Sequence, residues 1–152
     1  LPHQDIAVLR GIEGARMKET YKLLAERFGV PWHGRRYDRA NPTAADLPNQ
    51  AINHAASAVE AAAAVAVAAT GTIPQLGFIH EDSGQSFVLD IADLFRDSVT
   101  LPAAFRAAKE GAKRADQPIE RLTRRWVGET MRGQATLPAR IERIKTRFEA
   151  GD

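Results

Sequence analysis

"DLPNQAINHAASAVEAAAAVAVAATG", residues 46–71, is the stretch whose reading decides the fold. Asp46 is a favoured N-cap type and Gly71 a helix stop, so the spacing predicts one long helix between them. Eleven of the 25 residues from Asp46 to Thr70 are alanine. Side chains this small let neighbouring helices approach closely, which suggests the central element of a bundle. Asn49, Asn53 and Glu60 form a polar line on it, either orienting ligands or facing water.

Working outward, no segment alternates polar and apolar residues over a strand's length, while helix signals recur. The chain is therefore expected to be all-α, a compact multi-helix domain. Upstream, a helix from about Gln4 to Phe28 stops at Gly29, with Pro31 as a breaker, and "PWHGRRYDRANPTAAD" forms a loop. Downstream, Ser86 to about Phe95 reads as a short helix, Pro102 to Glu110 as another, and Pro118 to Met131 as a third capped by Asp116. Thr136 and Pro138 open a last helix that Gly151 closes.

The 152 residues contain no cysteine, which excludes disulfide frameworks, thiolate metal sites and cysteine nucleophiles and fits a reducing cytoplasm. The run "AAAAVAVAAT" is too short and alanine-rich to span a bilayer, so no membrane role is expected. Net charge is +2 but uneven. Residues 1–105 carry 9 Lys and Arg against 12 Asp and Glu, and residues 106–152 carry 12 against 7. An acidic part followed by a basic one suits a metal site acting on a polyanion, although solvated helix faces would give the same count.

The candidate chemistry sits in two stretches. Along the first helix, Ile6, Leu9, Met17, Leu24 and Phe28 make one stripe with Glu13 near its centre, aiming a carboxylate toward the core. Gly11 and Gly14 flank it and suggest a close approach by backbone or ligand. Arg10 and Arg16, one turn away, are either ion-pair partners of Glu13 or contacts to a polyanion. In "GFIHEDSGQSFVLDIADLFR", residues 77–96, Asp90 and Asp93 share one helix face beside an apolar arc, and His80 precedes them. Two carboxylates so close repel unless a cation intervenes, and imidazole with carboxylates suits Mn²⁺ and tolerates Mg²⁺. A hydrogen-bonded core histidine is the bland alternative for His80. His3, His33 and His54 lack a carboxylate at ligand spacing. In the loop, Arg35, Arg36 and Tyr37 form a phosphate-contacting set, and Trp126 among arginines could stack on a base or be core.

The ordered motifs "LRGIEGARMKETYKLLAERFGV", "WHGRRYD", "ADLPNQAI", "GFIH" and "SFVLDIADLFR" resemble the catalytic helical domain of the CRISPR-associated integrase family called Cas one, in wording closest to its type I-E branch. The resemblance implies that Glu13, His80 and Asp93 bind a divalent metal, Mg²⁺ or Mn²⁺, with Asp90 a nearby acidic partner and Tyr37 associated with activity and DNA contact. It further implies DNA as substrate (protospacer, CRISPR repeat and branched DNA), joined when a 3′-hydroxyl attacks a repeat phosphodiester. The implied partners are a Cas two companion and a second copy in the full-length protein. Residues 1–152 are then expected to be the helical catalytic part of a longer protein, with a β-rich domain and first helices upstream. Two rival readings stay open: a non-catalytic helical nucleic-acid-binding or scaffold subunit, and an unrelated metal-dependent nuclease.

Overall fold

The structure, a computed structural model of the chain, describes residues 6–36, 45–80 and 84–134. It is all-α among those residues, as expected: α1 (Ile6–Phe28), α2 (Leu47–Thr70), α3 (Ser86–Asp93), a π-helical turn (Arg96–Thr100), α4 (Leu101–Gly111) and α5 (Ile119–Gln134). Tyr37 and the helix expected after Thr136 lie outside the described residues.

α2 is the central element. Asp46 caps it, its carboxylate accepting from the Asn49 N–H at 3.2 Å, and Gly71 ends it in the left-handed conformation at φ 68°. Its Ala51, Ala55, Val59, Ala63 and Val67 are buried, and α3, α4 and α5 all pack on it. Alanine at the contact keeps those axes close, and Val59 shares one core with Leu101, Phe105, Leu122 and Val99, all with almost no exposed surface. By length and composition α2 is also, among the described residues, the one helix capable of crossing a membrane; here that apolar face is packed on its neighbours.

Only the second half of α1 joins this core. Met17, Tyr21, Leu24, Ala25 and Phe28 pack inward, Tyr21 stacks on Trp32 at 5.1 Å between centroids, and Trp32 meets Phe105 edge-on at 5.6 Å. The first half departs from expectation. Leu9 of the predicted stripe is exposed, with Val8 and Ile12 beside it.

The chain from α3 into α4 is more continuous than expected. The Phe95 carbonyl accepts from both Val99 N (2.8 Å) and Thr100 N (3.0 Å), which makes a widened turn between the two expected helices. It buries Phe95 and Val99 together while leaving Arg96 free to turn toward α3. α5 begins after Pro118, whose carbonyl accepts from Leu122 N at 3.2 Å.

Candidate functional site

Asp90 is the best-built residue of the candidate site. It is nearly buried, and its carboxylate accepts from the backbone N–H groups of Phe78 (2.5 Å), Ile79 (3.1 Å) and His80 (3.2 Å) and from the His80 ring at Nδ1 (2.6 Å). Burial acts to raise its pKa; the bonds from the His80 ring and then the three amides outweigh that and hold it below the ordinary carboxylate range. Nearby Gly77 has a steric reason. A Cβ there would stand 2.4 Å from the His80 carbonyl oxygen and 2.5 Å from the Ser86 Cβ, so only glycine lets the loop close on α3.

The consequence for His80 is a fixed ring. With Nδ1 donating to Asp90, Nε2 is the nitrogen left with a lone pair for another partner, the arrangement by which carboxylates brace ligating histidines. Asp90 is thus positioned to orient His80, and its oxygens are already engaged.

Asp93, one turn later, is half-exposed and ion-paired with Arg96. The two line a narrow pocket of about 90 Å³ with Glu60 of α2 and Thr100. Partial burial, and then the Asp93 charge, push Glu60 above its ordinary value. Of the polar line on α2, Glu60 therefore faces the candidate site. Asn49 and Asn53 do different work: fully buried Asn49 accepts from Arg35 Nη1 (3.0 Å) and Arg36 N (2.9 Å), and donates to the Gly34 carbonyl (2.9 Å). Asn53 accepts from Arg35 Nη2 at 2.6 Å. Arg35 and Arg36 thus sit at the surface on a loop pinned to the start of α2.

Glu13 corrects the sequence reading. It is exposed on the outer half of α1, and no side chain within 4 Å would meet a Cβ at Gly11 or Gly14, so the close approach those glycines suggested is absent among the described residues. Arg10 and Arg16 are exposed as well, and Arg16 pairs with Asp97 of the π-helical turn at 3.8 Å rather than with Glu13. Among the described residues no three His, Asp or Glu side chains are gathered for a metal ion. By type, the imidazole of His80 and the carboxylate of Asp93 fit Mg²⁺ or Mn²⁺, and the bracing of His80 suits a ligand; Glu13 is the donor the fold does not bring in.

For Trp126 the core alternative holds, since it packs partly buried against the core. Its indole N–H donates to Glu110 at 2.8 Å, and the guanidiniums of Arg106 and Arg125 lie 5.3 and 5.4 Å from its ring centroid, so it is not an open platform for a base.

The braced "GFIH" loop, the aspartate one turn beyond Asp90 and the pinned "HGRR" loop occur in one order on one helical frame. A family model described as CRISPR associated protein Cas1 matches residues 2–137. The chain belongs to the Cas1 family. It is 39% identical over 150 residues to a Cas1 endonuclease of Rhodospirillum rubrum, covering 97% of this chain and 48% of that protein. It is 36% identical over 149 residues to the Escherichia coli K12 Cas1 endonuclease, covering 98% and 48%. The crystal structure of a TtCas1–DNA complex matches with a TM-score of 0.82 at 38% identity, covering 93% of this chain and 52% of that one. The helical architecture is thus shared with a solved Cas1 structure, and the chain spans about half the length of the relatives it matches.

Sequence reasoning missed Arg96, three residues after Asp93 and therefore over it on a helix, a spacing that could have flagged the pair. It also missed the reason for Gly77, which no local pattern could supply because the clash is with Ser86.

Proposed function

We propose that this chain is the catalytic part of a metal-dependent Cas1 integrase and endonuclease that joins 3′-hydroxyl ends of new spacer DNA to the CRISPR repeat by transesterification. The observation that carries the reading is the Asp90–His80 brace, which fixes the loop imidazole against α3, the helix that bears Asp93. His80 and Asp93, with Glu13, would hold Mg²⁺ or Mn²⁺, which when bound supplies charge neutralisation at a phosphodiester. Asp90 orients the His80 ring and keeps its proton on Nδ1. Arg35, held by Asn49 and Asn53, offers its guanidinium toward phosphate together with Arg36. Arg10 and Arg16, exposed on α1, and Tyr37, in the loop after Arg36, are likewise assigned to DNA contact. No side chain of the site needs to act as nucleophile, because the attacking group is a hydroxyl of the DNA or water.

The full-length protein is proposed to work in the cytoplasm, as a homodimer with its Cas two companion, on protospacer, repeat and branched DNA. The TtCas1–DNA complex supports DNA as the substrate class. The exposure of Glu13 and the pairing of Asp93 with Arg96 favour one other reading, a helical nucleic-acid-binding subunit without catalysis.

Strand transfer of a 3′-hydroxyl duplex into a repeat by the full-length protein, with Mn²⁺ titrated by calorimetry, separates the two. Asp93→Ala and His80→Ala should abolish transfer, and Asp90→Asn should weaken metal affinity by about 10- to 100-fold. A parent that binds DNA without any transfer would establish the non-catalytic reading, and unchanged transfer in Asp93→Ala would remove Asp93 from the site.

A further inference from the structure

The corner between α4 and α5 holds side chains that the catalytic reading leaves unused. Arg106, Lys109 and Glu110 lie on one face of α4, and Lys113 and Arg114 follow in the turn after it. With Trp126 they line a cavity of about 410 Å³ that shares no residue with the Glu60–Asp93–Arg96 pocket.

Among the described residues Glu110 is the one carboxylate lining this cavity, and its charge is used internally. It accepts from Trp126, and it pairs with Arg114 at 3.4 Å and with Arg125. The indole bond and those arginines hold its carboxyl below the ordinary range despite burial. Arg125 is shared further with Glu129 at 3.6 Å. Arg106, Lys109 and Lys113 are different: all three are exposed, and none has a carboxylate partner among the described residues. The α4 C-terminus accounts for Lys109 through the helix dipole, but Arg106 stands mid-helix. Its guanidinium is held by rings instead, 5.8 Å from the Phe28 centroid and 5.3 Å from that of Trp126. Three uncompensated cations around one cavity raise the local positive potential, and an external anion is what lowers it.

We propose that this corner is a phosphate seat for the backbone of duplex DNA, outside the catalytic pocket. The proposal rests on the DNA-processing reading above. A fork-shaped Arg held against aromatic rings beside two flexible Lys point charges matches phosphate oxygens. A protein partner would need an aromatic or aliphatic anchor at the centre, and the one aromatic lining the cavity among the described residues, Trp126, is covered by guanidiniums. The seat reads no bases, so it serves any sequence.

The test is filter binding of a branched duplex to the full-length protein over a salt series, with the parent, Lys109→Gln/Lys113→Gln, and Arg35→Gln/Arg36→Gln as a separate arm. The double lysine variant should bind roughly tenfold more weakly at physiological salt. Its log–log salt slope should be shallower by about 0.9 for each phosphate no longer neutralised, equally on unrelated sequences and with an unchanged Tm. If the parent binds DNA and the lysine variant matches it in affinity and slope, the seat is refuted. It is equally refuted if the variant loses binding only to a poly-glutamate peptide. If the parent binds no DNA at all, the functional reading itself fails, and the seat with it.

Discussion

Asp90 and Asp93 on α3 are engaged within the fold, the first by three amides and an imidazole, the second by an arginine, whereas Glu13 on the outer half of α1 stands in solvent beside exposed Val8, Leu9 and Ile12. Both stretches supply donors expected of one metal site, yet only one is assembled by contacts across the chain. A hydrogen-bonded carboxylate is fixed by groups 10 to 12 residues away; a helix stripe specifies a face and nothing about what covers it. The α3 region is therefore pre-organised, and the outer half of α1 is the part whose placement still depends on what it meets.

The largest expected break in that contrast is Asp90→Ala. It removes the shared acceptor of three amides and the His80 ring at a part-buried site and should lower unfolding free energy by about 3 kcal/mol, read from urea midpoints. Glu13→Ala should leave the midpoint unchanged. Equal losses at the two positions would mean that Glu13 is as embedded as Asp90, contrary to the contrast.

Glycines sharpen it next. Gly77→Ala must displace the loop from Ser86 and should cost about 2 kcal/mol, while Gly11→Ala and Gly14→Ala, with open space at each Cβ, should stabilise by about 0.5–1 kcal/mol. Thermal melts of the three variants suffice, and a destabilising Gly14→Ala would show that something does approach α1 there.

Glu110 offers a pH-dependent version. Its carboxyl is depressed in the folded state, so it contributes stability above its unfolded value, near 4.5, and that contribution is lost as pH falls through the lower folded value. Glu110→Gln should reduce Tm at pH 7 and flatten the Tm–pH curve below about 4.5; a parallel curve would exclude Glu110 as the source. The smallest effect is expected at the exposed Arg16–Asp97 pair, which ties α1 to the π-helical turn at 3.8 Å. Asp97→Asn should shift stability by less than about 0.5 kcal/mol, and by less still in high salt.

Much of the fold was legible in the sequence because its signals are local. Asp46, Gly71 and the alanine run define α2 within a single window, and α1, α3, α4 and α5 each carry their own period or breaker. The π-helical turn was not legible, since the double acceptance at Phe95 arises from burying Phe95 and Val99 together. At the candidate site, helix projection correctly placed Asp90 and Asp93 on neighbouring directions, but only the folded loop shows that Asp90 is consumed by residues 78–80. The same projection aimed Glu13 inward, because it assumes that every apolar stripe finds a core. Asn49 looked like one of a polar row; that it pins the 34–36 loop depends on contacts 13 to 15 residues away.

The chain has two tryptophans, and the architecture has given them unlike surroundings. Trp32 is stacked with Tyr21 against Phe105 where α1 meets the core, while Trp126 has cations near its ring and a carboxylate on its N–H. Tryptophan fluorescence thus has two emitters, one beside the α1 junction and one in the α4–α5 corner. Their separate quenching and spectral shifts give the molecule an optical readout of each place without an added label.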